Sequence, residues 1–170
     1  YQYDMIEGEE IKKIIKKYKI KSVILLAAKK SVEESIKFPI KYFKNNIAEL
    51  IYLLESIKDT NCKNLIFSSS ACVYGDTDMS PIIETHPTSS TNPYGLSKII
   101  SEKILSSFVE NHKNFKLCIL RYFNPAGYHE SGLIGENSSS LAKNLFPNIE
   151  SVIMNKKSKF SLYGTDYNTK

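Results

Sequence analysis

A doubly wound parallel α/β sheet is the fold class that this chain of 170 residues predicts, and three observations predict it. Short continuous apolar runs end in unusual polar segments, longer stretches carry apolar residues at helical spacing, and the two kinds alternate along the chain. Runs of this type suit strands buried on both faces, because crossover helices cover both sides of a parallel sheet. The length permits one domain that removes roughly 70% of its unfolded surface from water.

The elements follow in order. Residues 9–19 place Ile11, Ile14, Ile15 and Tyr18 at helical spacing, and residues 22–28 are an apolar run of strand length. From Pro39, the residues Ile40, Phe43, Ile47, Leu50, Ile51, Leu54 and Ile57 describe one long amphipathic helix with proline in its first turn, and residues 64–69 are a second strand. Residues 70–92 are rich in Ser, Thr, Pro and Asp and too long for an idle connector, which marks a functional loop. A helix over 94–111, a strand over 116–122, a loop over 124–140 and a weaker helix over 141–154 complete the pattern. Ligands of such sheets collect outside the carboxyl ends of the strands. Here those ends are Ala27-Ala28-Lys29-Lys30, Ser68-Ser69-Ser70-Ala71 and Tyr122-Phe123-Asn124-Pro125, three segments expected to converge on one crevice.

Composition excludes several classes. Lys and Arg number 23 against 18 Asp and Glu, but the lysines are scattered along helical stretches and Arg121 is the only arginine, a solvated basic surface and not a nucleic-acid footprint. Cys62, Cys72 and Cys118 form neither a C-x-x-C motif nor an even disulfide set, and are read as three buried thiols. His86, His112 and His129 lie in separate segments, so no metal is expected. No run approaches the ~18 apolar residues of a membrane span and the N-terminus has no signal-peptide pattern, so a soluble, cytoplasmic protein without a membrane partner is expected. The chain opens on Tyr1 and closes on a turn-like 164–170, and is expected to be a piece of a longer polypeptide.

Tyr94 and Lys98 stand i, i+4 on the third helix, where an ammonium can favour a neighbouring phenolate. With eleven tyrosines, roughly 1.4 such spacings arise by chance, so the pair needs independent support. At 100° per residue Tyr94, Lys98, Leu105 and Val109 share an arc about 60° wide, which puts the pair at the N-terminal end of the stripe facing the sheet. Either Lys98 snorkels past the sheet edge or Tyr94 is an acid/base. Bringing a tyrosine from about 10 to near 7 needs roughly 4 kcal/mol of phenolate stabilisation, more than one ammonium usually supplies, and an oxidised nicotinamide would provide the second positive charge. Ser68, Ser69 and Ser70 either satisfy their own backbone or hydrogen-bond a substrate oxygen together with Tyr94. A serine hydrolase is the rival, but no G-x-S-x-G elbow surrounds them.

Three longer motifs carry a family resemblance: Phe67-Ser68-Ser69-Ser70-Ala71-Cys72-Val73-Tyr74-Gly75, Asn92-Pro93-Tyr94-Gly95-Leu96-Ser97-Lys98, and the run from Arg121-Tyr122-Phe123-Asn124-Pro125-Ala126-Gly127 to Gly135-Glu136. By these, over essentially its whole length, the chain resembles the UDP-glucose 4-epimerases of the extended short-chain dehydrogenase/reductase superfamily. Sugar-nucleotide 4,6-dehydratases look similar around Tyr-x-x-x-Lys but carry Thr-Asp-Glu where this chain has Ser-Ser-Ser.

The resemblance implies a Rossmann-like NAD-binding fold, with residues 1–137 as a partial cofactor domain and 138–170 as the start of a substrate-binding region. It puts the catalytic tyrosine on Tyr94, its lysine on Lys98 and the active-site serine on Ser70. It implies NAD contacts at Asp4, Met5, Ala27, Ala28, Lys30, Asn45, Ser70, Tyr94, Lys98 and Phe123, and UDP-sugar contacts at Lys30, Ser70, Tyr94, Asn124, Asn144, Leu145 and Tyr163. A homodimer is implied for the full-length enzyme. Ala28 stands where glycine is common, which would hold the backbone slightly farther from the cofactor, and Lys143 replaces a common asparagine. The glycine-rich first turn, the strand with the ribose-binding acid and most of the substrate domain are not among these 170 residues. The implied activity is therefore the parent enzyme's, and this piece alone is expected to be a non-catalytic fragment.

Overall fold

The computed structural model describes residues 1–127, 129–134 and 145–161. They fall into two units, Tyr1–Phe123 and Asn124–Lys170, each taken by itself.

In the first unit, α1 (Gly8–Lys17) begins with Glu9 and Glu10 and ends with Lys16 and Lys17, charges that suit the helix dipole. It leads into β1 (Ser22–Leu25). A six-residue helix, α2 (Val32–Lys37), follows under the cap of Ser31, whose side chain accepts from the Glu34 amide. Six residues are too few to display a helical period, so this element has no signature in the apolar pattern.

The helix expected to run unbroken from Pro39 is divided. It begins as α3 (Pro39–Phe43), widens into a π turn over Lys44–Ala48 and continues as α4 (Glu49–Lys58). The physical reason lies inside the π turn, where Asn45 and Asn46 both direct side-chain oxygens to the backbone of Lys29. The second strand, β2 (Asn64–Ser70), leads into a 3₁₀ turn over Ala71–Tyr74. A long loop then reaches α5 (Pro93–Asn111) and the third strand, β3 (Lys116–Tyr122).

The three strands form one parallel sheet in the order β1-β2-β3, with Leu25 beside Phe67 and Phe67 beside Ile119. Strand residues alternate between faces. Odd-numbered Leu25, Leu65 and Phe67 point into a core shared with Ile15 of α1, Leu50, Leu53, Leu54 and Ile57 of α4, and Leu105 of α5. The even-numbered face is different: Ile24 is 62% exposed and Cys118 is exposed. The expectation of strands buried on both faces thus holds on the face that α1, α4 and α5 cover. The three-buried-thiols reading is corrected for the same reason: Cys62 is buried, Cys72 half-buried, and Cys118 lies on the uncovered face.

In the second unit α6 (Leu145–Ile153) lies within the stretch expected to be helical, and Ser151 donates to the Pro147 carbonyl at 2.7 Å. Residues 141–144 of that expected helix lie outside the described residues. Among the described residues no helix is long and apolar enough to cross a membrane.

The α5-to-sheet contact rests most on Leu105, which is fully buried. Leu105→Ala in the full-length polypeptide should cost about 2–5 kcal/mol in urea unfolding, the range for an unrelieved core cavity. A loss below about 1 kcal/mol would mean that α5 does not anchor the core.

Candidate active site

The site is built where β2 ends. Ser70 remains extended, and its Oγ accepts from the Cys72 amide at 3.2 Å, which starts the 3₁₀ turn. Gly75 closes that turn at φ +66°, and a Cβ there would fall 1.9 Å from the Ser89 carbonyl oxygen. The chain therefore folds back on itself and delivers the start of α5 to the strand end. Asn92 caps α5 by accepting from the Gly95 amide at 2.9 Å, and Pro93 occupies its first turn.

Tyr94 and Lys98 lie on the sheet-facing side of α5, 8% and 3% exposed, on the stripe the helical arithmetic assigns them. The Lys98 Nζ donates to the Ser68 carbonyl at 2.7 Å and lies 4.8 Å from the Phe67 ring centroid and 6.0 Å from that of Tyr94. Burial pulls its pKa down to about 8, against the opposing pull of Glu102. The Tyr94 phenol moves the other way: burial raises it above its ordinary value, and a hydrogen bond with Ser70 partly offsets that. In these residues alone burial of the phenol prevails, in keeping with the expectation that Lys98 needs a second positive charge beside it. The Ser70 oxygen accepts from the backbone, and its hydroxyl adjoins Tyr94.

At the end of β1, Asn46 is buried and does more than its neighbour Asn45. Its Oδ1 accepts from the Lys29 amide at 2.9 Å, and its Nδ2 donates to the Lys29 carbonyl at 3.1 Å and to Ser97 Oγ at 3.0 Å. One side chain thus ties the β1 end to α5, one residue from Lys98. Sequence reasoning named Asn45 and missed Asn46. The available signal was a pair of adjacent polar residues inside an apolar helix. Asn45 accepts from the Lys29 amide at 3.2 Å and donates to Glu49, whose carboxyl is raised by burial and by nearby Asp4. The structure therefore brings Asn45 to the 27–30 segment, with Asp4 near enough to act on Glu49. In that segment Ala27 and Lys30 are exposed and Ala28 half-buried, while Met5 packs against the core.

A second missed group lies beyond Lys98. Arg121 of β3 forms a forked pair with Glu102 of α5, through Nε at 3.1 Å and Nη2 at 2.7 Å. Glu102 holds that guanidinium even more firmly charged than an ordinary arginine. A carboxylate about 80° from Tyr94, just past the edge of the sheet-facing arc, together with a lone arginine in a strand, was the signal available for it. Phe123, just past β3, is exposed and helps line a cavity of about 630 Å³ with Tyr74, Ile82, Glu84 and Arg121. Asn124 and Leu145, in the second unit, are exposed. Asn144 and Tyr163 lie outside the described residues.

The arrangement provides a phenol and a hydroxyl as neighbours beside a buried ammonium. Three donors belong to an ammonium and one is used on Ser68, so two remain for hydroxyl groups such as those of a ribose. These residues fit a nicotinamide nucleotide.

The Lys98 shift has a thermodynamic signature. Because the folded pKa of about 8 lies below that of an unfolded lysine, the unfolded chain binds more protons between pH 8 and 10.5, and stability rises with pH across that window. Full-length protein should gain up to about 3 kcal/mol from this group between pH 8 and 10.5, read from urea midpoints. Lys98→Met should remove that slope, and a slope unchanged in the variant would assign it to another group.

Comparison with known proteins gives concordant findings. The NAD dependent epimerase/dehydratase family matches residues 1–165. A UDP-glucose 4-epimerase of Yersinia enterocolitica is 45% identical over 99% of this chain and 51% of its own length. The UDP-glucose-4-epimerase of Stenotrophomonas maltophila, solved with bound NAD and formylated UDP-arabinopyranose, superposes with a TM-score of 0.94 at 37% identity over 99% of this chain and 50% of that one. The Bifidobacterium longum enzyme, solved with NAD+ and UDP, superposes at 0.90 with 39% identity over 99% and 51%. The chain spans about half the length of the UDP-glucose 4-epimerases it matches. A folded parallel sheet with the Tyr94, Lys98 and Ser70 constellation at its strand end, matched by that family model along nearly its entire length, leads to one conclusion: the chain belongs to the NAD dependent epimerase/dehydratase family.

Proposed function

We propose that the chain forms the catalytic part of an NAD-dependent UDP-glucose 4-epimerase, which interconverts UDP-galactose and UDP-glucose through a 4-keto sugar. The observation that carries the reading is the buried phenol of Tyr94 beside the Ser70 hydroxyl, one helical turn from the buried ammonium of Lys98. The relatives solved with NAD, with UDP or with a UDP-sugar support it. When bound, NAD supplies a reversible hydride acceptor for C4, so that inversion occurs with no net redox change.

The residues of the chain manage the proton. Ser70 donates to or accepts from the 4-oxygen and holds it in line with Tyr94. Tyr94 removes the proton from the 4-hydroxyl as the C4–H bond breaks and the carbonyl forms. After the 4-keto sugar turns over, Tyr94 returns that proton to the same oxygen when the C–H bond reforms on the opposite face. Burial raises the phenol's pKa in the protein alone, so Tyr94 and Lys98 would act as the base with the help of the positive charge that an oxidised nicotinamide would supply when bound. Coupling the base to cofactor occupancy is thus a consequence of its burial.

On this reading residues 1–137 belong to the cofactor domain, with Asp4, Met5, Ala27, Ala28, Lys30, Asn45 and Phe123 facing the dinucleotide. Residues 138–170 begin the substrate region, where Asn144, Leu145 and Tyr163, together with Asn124, receive the nucleotide sugar. The full-length enzyme is cytoplasmic and a homodimer, and the pairing of two copies is supported by the apolar groove between α4 and α5 that Ile51, Leu54, Ile104 and Phe108 line.

Full-length protein should convert UDP-galactose to UDP-glucose without added oxidant or reductant. Tyr94→Phe should lower kcat about 10²- to 10⁴-fold with little change in UDP-sugar affinity. Near-normal turnover in that variant would remove Tyr94 from the role, and accumulation of a 4-keto-6-deoxy sugar would assign a dehydratase instead.

A further inference from the structure

Lys98 and Glu102 stand i, i+4 on α5, the spacing at which an ammonium and a carboxylate ordinarily meet. Both are buried, where attraction between opposite charges is far stronger than in water. They nevertheless have different partners. Lys98 donates to the Ser68 carbonyl at 2.7 Å. Glu102 Oε1 accepts from Ser69 Oγ at 2.5 Å and from Arg121 Nε at 3.1 Å, and its Oε2 accepts from Arg121 Nη2 at 2.7 Å. The guanidinium is itself held, with Nη1 donating to the Tyr74 hydroxyl and to the Glu84 carbonyl, both at 3.0 Å.

We infer that Arg121 and Ser69 are positioning residues for Lys98: by occupying the Glu102 carboxylate, they keep it from closing on the ammonium one turn away, so that the Lys98 charge remains at Ser68 and available to Tyr94 and the cofactor. The inference rests on the reading of Tyr94 and Lys98 as the acid/base pair. An ion pair within α5 would draw Nζ off the strand carbonyl and neutralise the charge the phenolate needs. Only arginine carries a planar fork able to engage both carboxylate oxygens while a third nitrogen anchors elsewhere, so lysine at 121 would not substitute. Ser69 adds the hydroxyl that fills the remaining site on Oε1. The titratable or charged groups that act on Lys98 and Tyr94 are Glu102 on α5, Cys72 from the 3₁₀ turn, and Tyr42 of α3 against the Tyr94 ring, while Arg121 from β3 meets Glu102 and Tyr74. Of these, Glu102 is the one that opposes burial and raises the lysine.

The test is an NMR titration of the Lys98 Cε resonance in ¹³C-lysine-labelled, full-length enzyme, assigned by its loss in Lys98→Met, together with the NAD retained per subunit. In the parent protein the midpoint is expected near 8, where burial brings it. Arg121→Gln should move it up toward the ordinary lysine value of about 10.4 and lower NAD retention about tenfold. Adding Glu102→Gln to that variant should bring the midpoint back to 8 or below and restore the NAD, because no freed carboxylate remains. A structural role for Arg121 alone predicts a double variant no better than the single one, and that result, or an unmoved midpoint in Arg121→Gln, overturns the inference. Should Arg121→Gln not fold, Ser69→Ala decides: its midpoint must rise, by less than in the arginine variant, and no rise overturns the inference. Since the resonance titrates whether or not the enzyme turns over, a protein lacking epimerase activity but showing these shifts would refute the functional reading and leave this one standing.

Discussion

Taking an ammonium out of water costs several kcal/mol unless hydrogen bonds and polarisable neighbours replace its hydration, and the burial of Lys98 between α5 and β2 imposes that condition on everything around it. The Ser68 carbonyl and the Phe67 ring face supply part of the replacement. Both belong to the end of β2, so the strand must arrive there in one register and α5 must lie across it at one height. The condition therefore couples helix to sheet more tightly than apolar packing would.

Three polar devices meet that condition at the three strand ends. At β1, Asn46 reaches from a π turn to the Lys29 backbone and on to Ser97. At β2, Ser70 leaves the sheet and starts a 3₁₀ turn. At β3, Arg121 fastens Glu102 of α5, Tyr74 of that turn and the loop at Glu84. Each joins a strand end to α5 or to the loop before it. Below them the sheet is held by ordinary apolar packing around Leu54, Phe67 and Leu105. Chemistry and stability thus occupy different ends of the same helix: the buried face of its N-terminal half is largely polar and carries Tyr94 and Lys98, and that of its C-terminal half carries Leu105.

Much of this was legible in the chain. Apolar runs of strand length and helical spacing located the three strands and the helices 8–17 and 93–111 to within a few residues, because burial against a sheet forces those periods on the sequence. The site pair was legible because an ionisable residue on a core-facing stripe is anomalous. The helix 32–37 was not, being too short for a period, and neither was the π turn. Asn46 fits a helical pattern as well as a surface residue would, and only the position of Lys29 in space makes it structural.

The sequence by itself determined the alternation of strand and helix, the sheet-facing stripe of α5 with Tyr94 and Lys98 on it, and the motifs that mark the family. These are local matters, settled by which residues stand three, four or two positions apart. What the tertiary structure alone decided is where the charges go. Lys98 could have paired with Glu102, its neighbour along the helix, and instead donates to a strand carbonyl 30 residues away in sequence. Glu102 pairs with Arg121 from another strand. Electrostatic partners are chosen by distance and dielectric in the folded core, and the parallel sheet, by stacking β2 beside β3 under α5, brings Arg121 to Glu102 across 19 residues that no spacing rule connects.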